Sequence, residues 1–140
     1  MSNSAPGFEK HPGYAVDIET KDVRLRVLAG ATVIADSTRP VAVTETKHHP
    51  VWYLPLDDVD ASIITATETS TFCPFKGHAS YWTISTAHGD LEDVMWSYRE
   101  PFDECLELKD YVAFYTDRVD LEIDGKVGDR VGPGWTEDRG

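Results

Sequence analysis

The sequence predicts a mainly β protein, formed by one small antiparallel β domain with at most one or two short helices. Three observations support this fold class. Short runs rich in β-branched and aromatic residues recur along the chain, several of them alternate apolar and polar residues with period two, and turn-forming residues separate them. Strands joined by short turns pair antiparallel, so we expect an antiparallel sheet.

The first predicted element is a β-hairpin. Residues 23–28 alternate apolar and polar side chains, meet Ala29-Gly30, and are followed by a second apolar run at 32–35. Further strands are predicted at 41–45, 51–54, 81–85, 94–98, 111–115 and 119–124. Residues 56–64 are compatible with a short helix at their acidic end, although the Thr-rich stretch after them favours extended chain.

A chain of 140 residues has the usual size of a single domain, and a domain of this size buries about 70% of the surface that its unfolded form exposes. Residues 1–12 are rich in Ser, Asn, Pro and Gly, so we expect a flexible N-terminal arm. Residues 13–127 then form the single β domain. Residues 128–140 are rich in Gly, Asp and Arg and predict a loosely ordered C-terminal tail.

Charge and cysteine content restrict the function classes. The formal net charge is −12, which repels phosphate backbones and anionic lipids, so neither nucleic acid nor a membrane surface is an expected partner. Two cysteines allow one disulfide at most and no Cys-x-x-Cys pair is present, which suits reduced thiols in the cytoplasm. No apolar run approaches a signal peptide or a membrane span.

The densest group of chemically versatile residues is the segment Thr71-Phe72-Cys73-Pro74-Phe75-Lys76-Gly77-His78. Pro74 restricts its own φ and Gly77 permits a positive φ, so we expect a tight turn that aims Lys76 into a pocket. The alternative is that Cys73 is a small buried apolar residue and Lys76 a surface charge.

Five groups of residues follow one another along the chain, namely 34–37 with Glu45, 52–55 with Asp58, 71–77 with Tyr81 and Trp82, 96–98 with Pro101, and 112–115. In the order and spacing of these groups, over about residues 20 to 125, the chain resembles the bacterial family called domain of unknown function 427. The resemblance implies a fold similar to the β-tent group, whose members often bind zinc through Cys-x-x-Cys pairs. This chain lacks those pairs, so a β-tent-like fold without zinc knuckles is expected.

The family is sometimes labelled nucleotidyltransferase. The sequence contains no glycine-rich phosphate loop that would support this activity.

The first functional hypothesis is an aromatic-lined pocket for an unknown small molecule, in which Lys76 supplies a charge. The predicted walls are Tyr53, Tyr81, Trp82, Trp96 and Tyr98. Aromatic rings supply contact area, and one cation orients an anionic group. Alternatively, Asp36 and Glu45 beside aromatic faces hold a cationic or ureido-like ligand.

The second hypothesis is an enzyme. Either Cys73 acts as nucleophile, with Lys76 or His78 activating the thiol or relaying a proton, or Asp36 and Glu45 act as acid and base. Against the thiol reading, Pro74 offers no backbone donor after the cysteine. The third hypothesis is a structural or homo-oligomeric interaction module that uses edge strands and exposed aromatic residues.

No metal and no cofactor are expected. The adjacent histidines His48 and His49 would point to opposite faces of a strand, and loop histidines such as His88 are usually solvated.

Overall fold

The computed structural model describes residues 3–128. Within this range the chain forms one short α-helix, α1 (Gly7–Lys10), eleven β-strands and three 3-10 helices. The strands are β1 (Val16–Thr20), β2 (Leu25–Ala29), β3 (Thr32–Ser37), β4 (Val41–Glu45), β5 (Val51–Pro55), β6 (Ile64–Cys73), β7 (Gly77–Thr86), β8 (Gly89–Ser97), β9 (Tyr111–Phe114), β10 (Asp120–Ile123) and β11 (Lys126–Val127).

The strands form two antiparallel sheets. The larger sheet has seven strands in the order β1-β4-β5-β9-β8-β7-β6, and the smaller has four in the order β11-β10-β2-β3. This confirms the mainly β, antiparallel fold class, and the mostly β architecture is consistent with a β-tent-like arrangement.

The predicted hairpin is the β2-β3 pair of the smaller sheet. Gly30 has a φ of 58° between the two strands, a conformation that glycine adopts without steric cost. The other predicted strands correspond to β4, β5, β7, β8, β9 and β10, with ends that differ by a few residues.

Several elements are additional to those the sequence predicts. These are α1, the edge strands β1 and β11, and the 3-10 helix Asp103–Leu108. The Thr-rich stretch that favours extended chain forms β6. Residues 56–63 hold two three-residue 3-10 helices rather than a longer helix. The side chain of Asp60 accepts a hydrogen bond from the backbone N–H of Ser62, which satisfies a donor at the start of the second one.

The larger sheet buries both of its faces, because alternate residues on each strand point to opposite sides. One face packs on the smaller sheet and forms the first core, which includes Val27, Leu54, Trp82, Met95 and Val112. The other face carries the second core, which consists of Val41, Val43, Tyr53, Ala79, Tyr81, Trp96, Tyr98, Cys105, Leu108 and Ala113. Tyr81 and Trp82, which are adjacent on β7, therefore belong to different cores.

The N-terminal segment, for which the sequence suggested a flexible arm, contacts the domain in the structure. The Gly7 N–H donates to the carbonyl of Pro74 (2.9 Å), and the Ala5 N–H donates to the Glu104 carboxylate (2.9 Å). A Cβ on Gly7 would lie 2.7 Å from the ring of Phe75, so this close approach requires glycine. Of the predicted tail, residues 129–140 lie outside the described residues.

In residues 3–128, no helix is long and apolar enough to cross a membrane.

Candidate functional site

A cavity of about 910 Å³ opens on the second-core face of the larger sheet. Its walls are formed by the strands, the loop between β4 and β5, the turn between β6 and β7, and the segment before β1. The strands contribute Tyr53, Tyr81 and Trp96, and Tyr98 and Tyr115 follow β8 and β9 directly. The β6-β7 turn contributes Cys73, Pro74, Phe75 and Lys76, and the N-terminal segment contributes residues 10–14.

The turn between β6 and β7 places Lys76 inside this cavity. The Lys76 N–H donates to the Cys73 carbonyl (3.3 Å), and the Lys76 carbonyl accepts from the Phe102 N–H (2.9 Å). Gly77 has a φ of 123°, and a Cβ there would lie 3.3 Å from the Glu100 carbonyl oxygen. Gly77 therefore meets both a conformational and a steric need, and the turn holds Lys76 with only 5% of its surface exposed.

Lys76 forms a buried ion pair with Glu45, the last residue of β4. The side chains are 6% and 10% exposed, and both line the cavity. The Tyr14 hydroxyl donates to the second carboxylate oxygen of Glu45 (2.5 Å). Removing two charges from water is costly, so such a pair persists only where good contacts compensate. We call Tyr14, Glu45 and Lys76 the polar triad.

The remaining walls are mainly aromatic. Trp96 Nε1 donates to the Tyr53 hydroxyl (3.2 Å), and the Tyr81 hydroxyl lies 2.9 Å from Thr71 Oγ1. Burial raises the pKa of the Tyr53 and Tyr98 hydroxyls well above the usual value. These two side chains are therefore neutral at physiological pH, and Lys76 Nζ lies 6.0 Å from the centroid of the Tyr98 ring.

The N-terminal segment closes one side of the site. The ring of Tyr14 stacks on Phe75 with 3.9 Å between ring centroids, and Phe8 contacts the same ring edge-on at 5.0 Å. Burial and the hydrogen bond to Glu45 raise the pKa of Tyr14, so it acts as a donor to the carboxylate at neutral pH.

The two cysteines differ in environment, and both are free. Cys73 lines the cavity, with its Sγ 3.9 Å from Lys76 Nζ. Cys105 is fully buried, and its Sγ donates to the Phe75 carbonyl (3.5 Å). Burial raises the pKa of the Cys105 thiol to about 11, so it is a neutral group that packs against the turn.

Most of the site residues suggested by the sequence gather at this cavity, namely Glu45, Tyr53, Cys73, Lys76, Tyr81, Trp96 and Tyr98. Trp82 does not, because it follows Tyr81 on β7 and points into the first core. His78 is exposed, and its ring contacts Phe72.

Asp36 also lies elsewhere. It belongs to β3 of the smaller sheet and accepts two hydrogen bonds from Arg24, at 2.9 and 2.5 Å. This guanidinium lowers the pKa of the Asp36 carboxyl. Since Asp36 is not among the residues that line the cavity, Glu45 has Lys76 and Tyr14 rather than Asp36 as its polar partners there.

Sequence reasoning missed Tyr14, Tyr115 and the other residues of the N-terminal segment. Tyr115 is the last residue of the predicted strand at 111–115 and directly follows β9, so its aromatic character and position were available as a signal. Tyr14 lies beside a polar, Pro- and Gly-rich stretch with no periodicity, and no local pattern reports its contact with Glu45, 31 residues further along.

Among residues 3–128, no group of three or more His, Cys, Asp or Glu side chains is arranged to hold a metal ion.

Comparison with known proteins bears on the whole domain. No curated protein matches the chain. A family model matches residues 17–125, which include Glu45, the β6-β7 turn and the aromatic walls. The chain therefore belongs to the family described as a domain of unknown function, DUF427.

Proposed function

We propose that this protein binds a small molecule in the cavity beside the polar triad. The observation that carries the proposal is the Lys76–Glu45 ion pair, which is almost buried and yet lines an aromatic cavity. Charged side chains are rarely buried in a small domain, and an ion pair is seldom the most stable way to fill a core. A ligand-binding role explains why these two side chains occupy the face that also carries the cavity.

The composition of the walls supports the same role. Small-molecule sites are concave and mainly apolar, with a few polar groups that set the orientation of the ligand, and their volumes are about 300–1,000 Å³. The cavity of about 910 Å³ combines tyrosine and tryptophan rings with the buried ammonium of Lys76 and the carboxylate of Glu45. Rings of this kind provide stacking area, whereas the triad provides directional contacts.

A cavity-filling substitution tests the proposal. Val51 lines the cavity without belonging to the triad, and Val33 is 38% exposed on the smaller sheet. A thermal-shift screen of nucleosides, carboxylates and ureido compounds should yield a ligand that stabilises the wild-type protein. The shift should disappear in Val51→Trp and persist in the control Val33→Trp. The absence of any stabilising ligand, or equal shifts in both variants, would refute binding in this cavity.

A second candidate is a thiol-dependent enzyme in which Cys73 attacks a ligand held in the cavity. The observation that favours it is the 3.9 Å separation of Cys73 Sγ from Lys76 Nζ at the cavity wall. Cys73→Ser should abolish turnover in a hydrolase and reductase screen while it preserves ligand binding. Unchanged turnover in Cys73→Ser would exclude this mechanism.

We also propose a cytoplasmic location, supported by the two free thiols, which suit a reducing compartment.

A further inference from the structure

The two buried charges at the cavity cancel each other. Lys76 and Glu45 are in contact, so the pair presents one positive and one negative group side by side and carries no net charge. Lys10 also lines the cavity but is exposed, where water and salt screen its field. A ligand that reaches the triad therefore meets a dipole rather than a single charge.

The triad retains hydrogen-bonding capacity after its internal contacts are made. An ammonium has three donors, of which one is used by Glu45 and another is directed towards Cys73 Sγ at a long 3.9 Å. A carboxylate has about four acceptor positions, of which Lys76 and Tyr14 occupy two. One donor and adjacent acceptor positions thus remain on two neighbouring side chains.

We propose that the ligand is electrically neutral and planar, and that it presents a carbonyl acceptor and an N–H donor on the same edge. Primary carboxamides, lactams and related heterocycles have this edge, with the carbonyl directed to Lys76 and the N–H to Glu45. The apolar part of the molecule stacks on the tyrosine and tryptophan rings of the wall. This inference rests on the proposed function and specifies the chemical class of its ligand.

Ligands with a net charge fit the pair less well. A carboxylate attracted to Lys76 lies next to Glu45, and an amidinium attracted to Glu45 lies next to Lys76. Each must either separate the pair or accept a buried like charge as a neighbour, which is costly in a site of low polarity. A zwitterion matches both charges but must insert between two groups that already neutralise each other. A neutral amide leaves the ion pair intact.

A series of phenyl compounds with different head groups separates these cases. Benzamide is neutral, benzoate anionic, benzamidinium cationic and phenylglycine zwitterionic, while N,N-dimethylbenzamide lacks the donor. Dissociation constants are measured by protein-observed NMR titration of the full chain at one ionic strength. Benzamide should bind at least about tenfold more tightly than each of the others, since every competitor leaves a buried polar or charged group badly paired.

Substitutions that unbalance the triad should change the preference in a defined direction. Glu45→Gln leaves a net positive charge, so benzoate should become the tightest ligand of the series. Lys76→Met leaves a net negative charge, so benzamidinium should become the tightest. Glu68→Gln and Lys126→Met remove the same charges at exposed positions outside the cavity and should leave the benzamide preference unchanged.

The outcomes distinguish this inference from the proposed function. If benzoate, benzamidinium or phenylglycine binds wild type most tightly in the cavity, the ligand class is wrong and the binding function stands. The same conclusion follows if none of the five compounds binds while the screen still yields a cavity ligand. If neither the screen nor the series yields a ligand, both proposals fail. Should Lys76→Met not fold, the wild-type series and Glu45→Gln still decide the question.

Discussion

The two faces of the larger sheet carry similar buried apolar side chains, but different parts of the chain cover them. The first-core face is filled: Trp82, Met95 and Val112 pack directly against the smaller sheet. The opposite face carries equally buried side chains, such as Tyr53, Trp96 and Ala113, but within residues 3–128 no second sheet covers it. A short 3-10 helix, one turn and the N-terminal segment cover it instead, and a cavity of about 910 Å³ remains. A face covered by irregular chain can keep space and polar groups that a sheet-on-sheet interface excludes.

The largest expected effect comes from the matched tryptophans on neighbouring strands. Trp82 and Trp96 are 7% and 6% exposed, but they belong to opposite faces. Trp82→Ala should lower the free energy of unfolding by about 3–5 kcal/mol, because it creates a new cavity in a filled core. Trp96→Ala enlarges an existing cavity and should cost less, while it weakens ligand binding more.

Urea unfolding of both variants, combined with titration of a cavity ligand, measures the difference. A larger stability loss for Trp96→Ala than for Trp82→Ala would contradict the contrast between a filled and an open face.

The next largest loss of stability is expected for the ion pair between Lys76 and Glu45 on the cavity face of the larger sheet. Lys76→Met leaves the Glu45 carboxylate almost buried without its cation and should destabilise the protein by about 3–5 kcal/mol. The double variant Glu45→Gln/Lys76→Met removes both charges and should recover at least half of this loss. Chemical denaturation of the two single variants and the double variant gives the coupling energy.

If the double variant is as unstable as the sum of the single variants, Lys76 and Glu45 do not interact in the folded protein. A pair retained for binding should be replaceable with little loss of stability but with complete loss of ligand binding.

Many of the strands and site residues that distinguish the two faces could be predicted from the sequence. The features that could not be predicted depend on contacts between distant parts of the chain. The β-branched and aromatic content of residues 81–85 and 94–98 is a local signal, so strands bearing Tyr81 and Trp96 could be predicted. Successive side chains on a strand point to opposite faces, and applying this rule to Tyr81 and Trp82 would have removed Trp82 from the pocket hypothesis. Lys76 was suggested by local turn chemistry, because Pro74 and Gly77 restrict and permit specific backbone angles.

Contacts between residues that are far apart in the sequence could not be predicted from such local patterns. Glu45 was grouped with Asp36 because both carboxylates were expected beside aromatic faces, but β3 and β4 belong to different sheets. The contacts of Glu45 with Lys76 and Tyr14 depend on which strands are neighbours. The polar N-terminal segment likewise carries no periodic pattern, although it covers the cavity through contacts such as Gly7 with Pro74.

A smaller loss of stability is expected for a substitution in the N-terminal segment, which covers the cavity face of the larger sheet. Tyr14→Phe keeps the ring that stacks on Phe75 but removes the donor to Glu45. The loss should be about 1 kcal/mol, lower than for a fully buried bond to a charged group because Tyr14 is only half-buried. Combining it with Glu45→Gln in a double-mutant cycle isolates the hydroxyl contact. Additive losses in the cycle would show that this contact does not stabilise the fold.

The smallest expected effect is a difference in alkylation rate between the cysteine at the cavity wall and the cysteine in the second core. Cys73 lines the cavity and Cys105 is fully buried, so iodoacetamide should modify Cys73 in the folded protein well before Cys105. Mass spectrometry of the alkylated chain distinguishes the two sites, with Cys73→Ser as the control. Equal rates at the two cysteines would place Cys105 in contact with solvent.

The pH dependence of stability tests the same boundary. The folded pKa of Cys105 is about 11, raised by burial from an ordinary value of 9.0. Below pH 9 the thiol is neutral in both states, and its full contribution to stability is present. Between pH 9 and 11 the unfolded chain loses the proton first, so this contribution falls as the pH rises.

Other groups, among them the buried tyrosines, also titrate in alkali, so the measurement is a comparison with Cys105→Ala. Wild type should lose more unfolding free energy than Cys105→Ala between pH 8.5 and pH 10.5 in urea titrations, about the window in which the unfolded thiol ionises first. Parallel losses would mean that Cys105 ionises as readily in the folded protein as in the unfolded one. In that case solvent would reach beneath the β6-β7 turn, and the open face would extend deeper than the cavity walls.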